Sequence, residues 1–392
     1  MENKKLDIYS EFTFFESLIF TIFNSLVRSF LYPLFGSISN KLAIGKRVLT
    51  EFLEELGAEL LQIKTSDGEL LEAMYYDPED IKLLHDNNFF GQWKEKLKKL
   101  QKLKYYRYAL DYDAEDLFGM FKVQLPIIKH SYKKKSEIRA VVICHGQGGL
   151  CGISPQRIFT YLGRGLPVIE FSYRGYRNST GDPTFKGTII DAVSVTKWLM
   201  RRLSLEPNQV LVHGISLGSS VASYTSRELG THCIIDRGFS RLSKVAENQL
   251  PGIVGSFIKN VKIINFITLI VRPIIRTLFD FMWTYSTQDV IPKILGRVLI
   301  LRALQDPKIP YDHADQNFNA LLTKYNNEND EKTAEHLREK YFADVPGGHS
   351  YDDKIDRGSD GVVKVWIEDI SAQKKLSNFL YDNYLTEQEP FY

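Results

Sequence analysis

Gly214-Ile215-Ser216-Leu217-Gly218 is the stretch of this 392-residue chain whose residue types and spacing most directly specify chemistry. It follows a short apolar run, Val210–His213, and precedes a small-residue helical segment, Ser219–Leu229. A serine on a sharp strand-to-helix turn needs residues without side chains two positions away on either side, because a Cβ there would collide with neighbouring backbone. Its hydroxyl then stands clear at a helix amino terminus, where unpaired N–H groups favour developing negative charge. In that setting Ser216 reads as a nucleophile.

A serine hydroxyl at its resting pKa is a poor nucleophile and needs a positioned base, itself held by an acid. The chain has eight histidines. Only His349 follows a terminal strand candidate, in Pro346-Gly347-Gly348-His349-Ser350, where glycines let a loop bend back. His145, opening a glycine-rich loop, and His213, just before Gly214, read as supporting hydrogen-bonding groups. The other five (His85, His130, His232, His313 and His336) read as solvated. Asp306, just beyond the apolar run Val298–Leu301, is the preferred acid; Asp236 is its rival, and Asp352 and Asp353 lie too near His349 to be favoured. The tetrahedral oxygen needs two amides aimed at it. Leu217, after the nucleophile, supplies one, and the loop His145-Gly146-Gln147-Gly148-Gly149 the other, from Gln147 or, as second choice, Gly148. Gly146, Gly148, Gly214 and Gly218 are expected to bare or clear the backbone around these groups.

The elements that must carry these residues alternate along the chain. Residues 57–77 read as a hairpin about Ser66-Asp67-Gly68. Short apolar runs then follow at Ala140–Cys144, Pro167–Ser172, Val210–His213, Cys233–Asp236, Val298–Leu301 and Tyr341–Asp344. Helical periodicity separates them, as in Gly187–Leu203, and a last helix is expected at Ser371–Tyr384. This alternation predicts an α/β fold with a mostly parallel central sheet and helices on both faces.

Composition permits a large core: 44% of residues are hydrophobic and 25% charged. Lys+Arg 50 against Asp+Glu 48 leaves a net charge of +2, so no global field favours nucleic acid, and no such partner is expected. Three cysteines, Cys144, Cys151 and Cys233, without C-x-x-C spacing, favour a reducing compartment over a disulfide framework or zinc site.

Taken together, His145–Gly149, Tyr173-Arg174-Gly175-Tyr176 with Gly181 and Asp191, the turn at 214–218, Asp306-x-x-Ile309-Pro310 and Gly348-His349 resemble the α/β-hydrolase superfamily over roughly residues 57–392. The resemblance implies a serine hydrolase of the α/β-hydrolase fold without metal or organic cofactor. Within the superfamily, Asp236-Arg237-Gly238-Phe239-Ser240 and the helical segment after it resemble the CHLPS/SidB-like group of Chlamydia and Legionella. That would imply an intracellular bacterium and delivery into a host cell by a secretion system, which the acidic tail Thr386–Tyr392 also resembles.

Two insertions depart from the family pattern: a basic one at 78–120, with a Lys-rich helix at Trp93–Arg107, and Lys324–Lys340. A helical cap is expected at 241–293, whose apolar segment Gly252–Tyr285 either lines a path for an acyl chain or packs on the sheet. Residues 1–56 form an N-terminal amphipathic helical extension. Its Phe-rich face at 12–30 either packs on the body or lies in a membrane interface. These readings make the expected activity hydrolysis of an acyl ester or thioester, with a lipid or acyl substrate and a possible anionic membrane partner. The expected location is cytoplasmic or membrane-peripheral. The alternative is a silent hydrolase fold that binds membrane or protein.

Overall fold

Every residue of Ala140–Cys144 (β3) and His232–Asp236 (β6) is buried. Alternate residues of a strand point to opposite faces, so both faces of the sheet must be covered, as the apolar runs predict. A computed structural model describes residues 54, 57–80, 138–147, 151, 155–282, 285–325, 331–345 and 370–381. The other strands are Glu59–Lys64 (β1), Leu70–Tyr76 (β2), Val168–Phe171 (β4), Val210–Ile215 (β5), Val298–Ala303 (β7) and Phe342–Val345 (β8).

The eight strands form one sheet in the order β1-β2-β4-β3-β5-β6-β7-β8. β2 pairs antiparallel with both β1 and β4, and all remaining pairs are parallel. The parallel strands alternate with helices Pro155–Leu162 (α1), Phe185–Leu203 (α2) and Leu217–Leu229 (α3). Asp312–Lys324 (α7), Glu331–Tyr341 (α8) and Ile370–Tyr381 (α9) follow later in the chain. Thr184 caps α2 by accepting from the Gly187 amide, and Gly230, at φ 78°, ends α3 in the left-handed conformation.

The sheet also fixes where a site can form. From β3 the chain moves outward to β4 and then returns to β5 on the other side, so the strand order reverses there. In open parallel sheets that reversal leaves a crevice at the carboxyl ends of the two strands. Cys144 of β3 is in register with Gly214 of β5, which sets the His145 loop beside the serine turn.

Between β6 and β7 lie two further helices, Leu242–Phe257 (α4) and Val261–Met282 (α5), packed on each other, followed by the short Thr287–Val290 (α6). A bridge between Arg241 and Ser286, with the Leu242 amide donating to Tyr285 O at 2.9 Å, closes the neck of this hairpin. The apolar segment after residue 252 is therefore the end of one helix and the whole of a second. Neither expectation for its side chains holds throughout: Phe279 is buried, but Ile263, Phe266, Ile270 and Ile274 face outward. The extension at 1–53, residues 81–120 of the basic insertion and the tail at 386–392 lie outside the described residues.

Candidate active site

Ser216 follows β5 and directly precedes α3 at φ 52° and ψ −117°, a conformation L residues occupy only under constraint. The constraint is visible on both sides of the turn. A Cβ on Gly214 would overlap the Gly218 carbonyl and lie 2.5 Å from Ser219 Cα. One on Gly218 would overlap the Cys144 carbonyl and lie 2.5 Å from His145 O. The glycine spacing read from the sequence is thus a packing requirement. The turn's own amide is satisfied, since Ser216 N–H donates to Asp236 O at 2.9 Å.

The glycine-rich loop reaches this serine. A Cβ at Gly146 would stand 3.2 Å from Ser216 Cβ and 3.8 Å from its Oγ. His145 anchors the loop from below: its Nδ1 lies 3.1 Å from Gly146 O and its ring packs at a tilt against that of Tyr173, 4.4 Å between centroids. Tyr173 in turn donates its hydroxyl to His145 O at 3.0 Å. Burial pushes the His145 pKa down to about 4, so the imidazole is neutral. Leu217 opens α3 next to the serine, and Gln147 sits at the exposed tip of the loop's described part. Gly148 lies outside the described residues.

Asp306 lies three residues beyond β7, half-buried, and its Oδ1 accepts the amides of Lys308 and Ile309, both at 2.8 Å. This local turn fixes the carboxylate at the sheet edge from which Ser216 emerges. His349 itself is outside the described residues. The strand before it, β8, ends at Val345 in register with Ala303 of β7, so the segments bearing Asp306 and residue 349 leave neighbouring strands at the same edge.

Asp236 occupies a different environment, beneath the turn. Its carboxylate is fully buried and accepts from Arg237 Nη1 (2.7 Å), Arg157 Nη2 (2.8 Å) and Nε (3.1 Å), and faces His213 Nε2 at 3.3 Å. Burial alone would raise its pKa, but Arg237, Arg157 and His213 together hold it far below the usual carboxylate range. His213 also lies 2.6 Å from the Tyr161 hydroxyl through Nδ1. Burial keeps His213 neutral, so it donates from Nε2 and accepts at Nδ1. His213 therefore has the supporting role its position suggested. Arg157 and Tyr161 escaped the sequence reading, since their partners lie 79 and 52 residues away.

Two further histidines correct the sequence reading. His232 and His313 are buried rather than solvated. His232 lies 2.8 Å from Asn208 O through Nε2 and accepts the Arg297 amide at 2.9 Å. His313 accepts the Ser240 amide at 3.2 Å through Nδ1, and burial pushes its pKa down to about 4. His336 is exposed as expected.

The Tyr173–Tyr176 motif has a physical reason as well. The Arg174 backbone amide and guanidinium both bind Asp191, and the guanidinium also grips Asp67 at 2.8 and 3.0 Å. One arginine thereby ties the β1–β2 turn, the loop after β4 and helix α2 together. A recess of about 800 Å³ lined by Asp289, Lys293, Gln316 and Thr323, among others, contains none of the candidate catalytic residues.

The reversed strand order, the strained serine between two obligatory glycines and the loop beside it define an α/β-hydrolase. The chain belongs to the α/β-hydrolase superfamily, and sequence relatives agree. It is 30% identical over 153 residues to the Arabidopsis thaliana alpha/beta hydrolase domain-containing protein WAV2, covering 37% of this chain and 46% of that one. It is 27% identical over 180 residues to the lysophosphatidylserine lipase ABHD12 of Xenopus tropicalis, covering 44% of each. An uncharacterized Mycobacterium tuberculosis protein, Rv2307c, is 34% identical over 113 residues, 29% of this chain and 40% of that one. The matched region thus spans less than half the length of these relatives. No protein-family model matches. Among solved structures, a Pyrococcus furiosus esterase superposes with a TM-score of 0.47 at 14% identity, covering 83% of this chain and 92% of its own.

Proposed function

We propose that this chain is a serine hydrolase that cleaves a carboxylic ester or thioester of an acyl or lipid substrate through an acyl-enzyme. Ser216 Oγ attacks the acyl carbonyl while His349 accepts its proton. His349 then gives that proton to the departing alcohol or thiol, and a water deacylates Ser216 by the same route in reverse. Asp306 orients the imidazole and offsets its charge. The amides of Leu217 and Gln147 receive the oxyanion, and losing one such donor typically costs about 2.7–4 kcal/mol of transition-state stabilisation.

The observation that carries this reading is the backbone of Ser216, held at φ 52° between two glycines that cannot bear a Cβ. A serine that only capped α3 would need no such turn, and Ser216 makes no side-chain cap bond to the helix. Asp306 is preferred over Asp236 because the Asp236 carboxylate is already committed to Arg157, Arg237 and His213 beneath the sheet edge. The lipase named among the relatives supports an acyl ester as the substrate class.

Hydrolysis of p-nitrophenyl esters of increasing chain length, beside a panel of lysophospholipids, tests the proposal. Turnover that disappears in Ser216→Ala is expected. Equal turnover in Ser216→Ala contradicts it, and no turnover on any ester favours the silent binding module.

A further inference from the structure

Helix α5 carries apolar residues on two sides. Toward α4 and the body, Thr268 and Phe279 are buried and Ile264, Ile267 and Ile275 half-buried. On the opposite side Ile263, Phe266, Leu269, Ile270 and Ile274 are 46–74% exposed. At 3.6 residues per turn these five side chains share an arc of about 140°. A contiguous exposed apolar strip of this kind marks a binding surface rather than ordinary scatter.

Its border is mostly positive, with Asp280 the one acid on the helix. Lys262, Arg272 and Arg276 follow one side of the strip, and Lys259 stands just before the helix. Arg276 is engaged with Glu247 at 3.6 Å and Asp280 at 3.8 Å. Lys259, Lys262 and Arg272 are exposed and form no ion pair among the described residues. No described helix is long and apolar enough to cross a membrane.

We infer that the outer face of α5 docks on the surface of an anionic lipid bilayer, lying along the interface. Phe266 and Leu269 enter the acyl boundary while Lys259, Lys262 and Arg272 meet lipid phosphates, the two requirements of an interfacial helix. A second copy of the chain fits less well. A two-fold contact through this strip sets the same cations against each other. The hairpin also leaves the carboxyl end of β6, the strand beside the one bearing Ser216. Docking there brings the candidate active-site edge near lipid. The inference itself does not require catalysis, so it stands or falls apart from the proposed hydrolase activity.

The test is co-sedimentation of the full chain with vesicles of phosphatidylserine and phosphatidylcholine in equal parts, and with phosphatidylcholine alone. Binding to the mixed vesicles is expected, weakening by about tenfold or more on phosphatidylcholine alone and falling with salt. Phe266→Asp with Leu269→Asp should lose about tenfold or more, with an unchanged melting curve because both sites are exposed. Ser216→Ala should bind as the unaltered chain does. As a second readout, Phe266→Trp should shift its emission to the blue on mixed vesicles. The inference is overturned by absent binding, by equal binding to both vesicle types, by full binding of the double aspartate variant, or by an unshifted tryptophan. A dimer in solution that Phe266→Asp dissolves would likewise overturn it, assigning the strip to a second copy.

Discussion

The amide of Ser216 donates to the carbonyl oxygen of Asp236 at 2.9 Å, so the strained serine is tied to the strand beside it. The same Asp236 directs its side chain to Arg157, Arg237 and His213. Backbone and side chain of one residue thus fix the position of the candidate nucleophile and the charge balance under it. Removing that carboxylate should be a folding lesion first. Asp236→Ala is expected to lower the free energy of unfolding by about 3–5 kcal/mol, as urea denaturation would show. Unchanged stability would mean that the buried network is not the support described here.

Asp306→Asn separates chemistry from folding. The asparagine oxygen can still accept the Lys308 and Ile309 amides that the carboxylate accepts now, so the local turn survives. What disappears is the charge proposed to orient and stabilise the His349 imidazolium. Turnover should fall by about ten-thousandfold while the urea midpoint stays within error. Retained turnover would move the catalytic acid elsewhere.

Gly218→Ala tests the packing argument for the serine turn. The new methyl meets the carbonyl oxygens of Cys144 and His145, both rigid backbone. A cost of about 1–3 kcal/mol in stability is expected, together with at least a hundredfold loss of turnover from displacement of the proposed nucleophile. Full activity in this variant would show that the approach of β3 to α3 is looser than the structure has it.

Much of this was legible in the sequence because it is local. Gly214-x-Ser216-x-Gly218 combines a strand end, a turn and a helix start within a few residues, and each apolar run became a strand within two residues of its expected bounds. What escaped depends on partners far along the chain. His313 sits in a polar stretch, and only the fold brings Ser240, 73 residues earlier, against its ring. Arg174 and Asp191 stand together in the family motif, but Asp67, 107 residues from Arg174, joins them only through the sheet. The strip on α5 was invisible for another reason: an apolar residue in sequence does not say which of two apolar faces is covered.

Buried neutral histidines give the fold a pH dependence with a definite sign. His145 and His313 have pKa values pushed down to about 4 from an ordinary 6.5, so the unfolded chain binds protons first. Their contribution is fully present above pH 6.5 and is lost progressively as the pH falls toward 4. Each histidine should cost at most about 2 kcal/mol between pH 6.5 and 5. Urea midpoints should decline over that window, and His313→Asn should flatten the slope. A midpoint that rises on acidification would contradict the burial of these rings.

Reaction with a fluorophosphonate, read out by peptide mass spectrometry, bears most directly on whether Ser216 is an activated nucleophile. The adduct should appear on the peptide containing Ser216, vanish in Ser216→Ala and form far more slowly in His349→Ala. An unmodified chain, or an adduct on any other serine, would contradict the account.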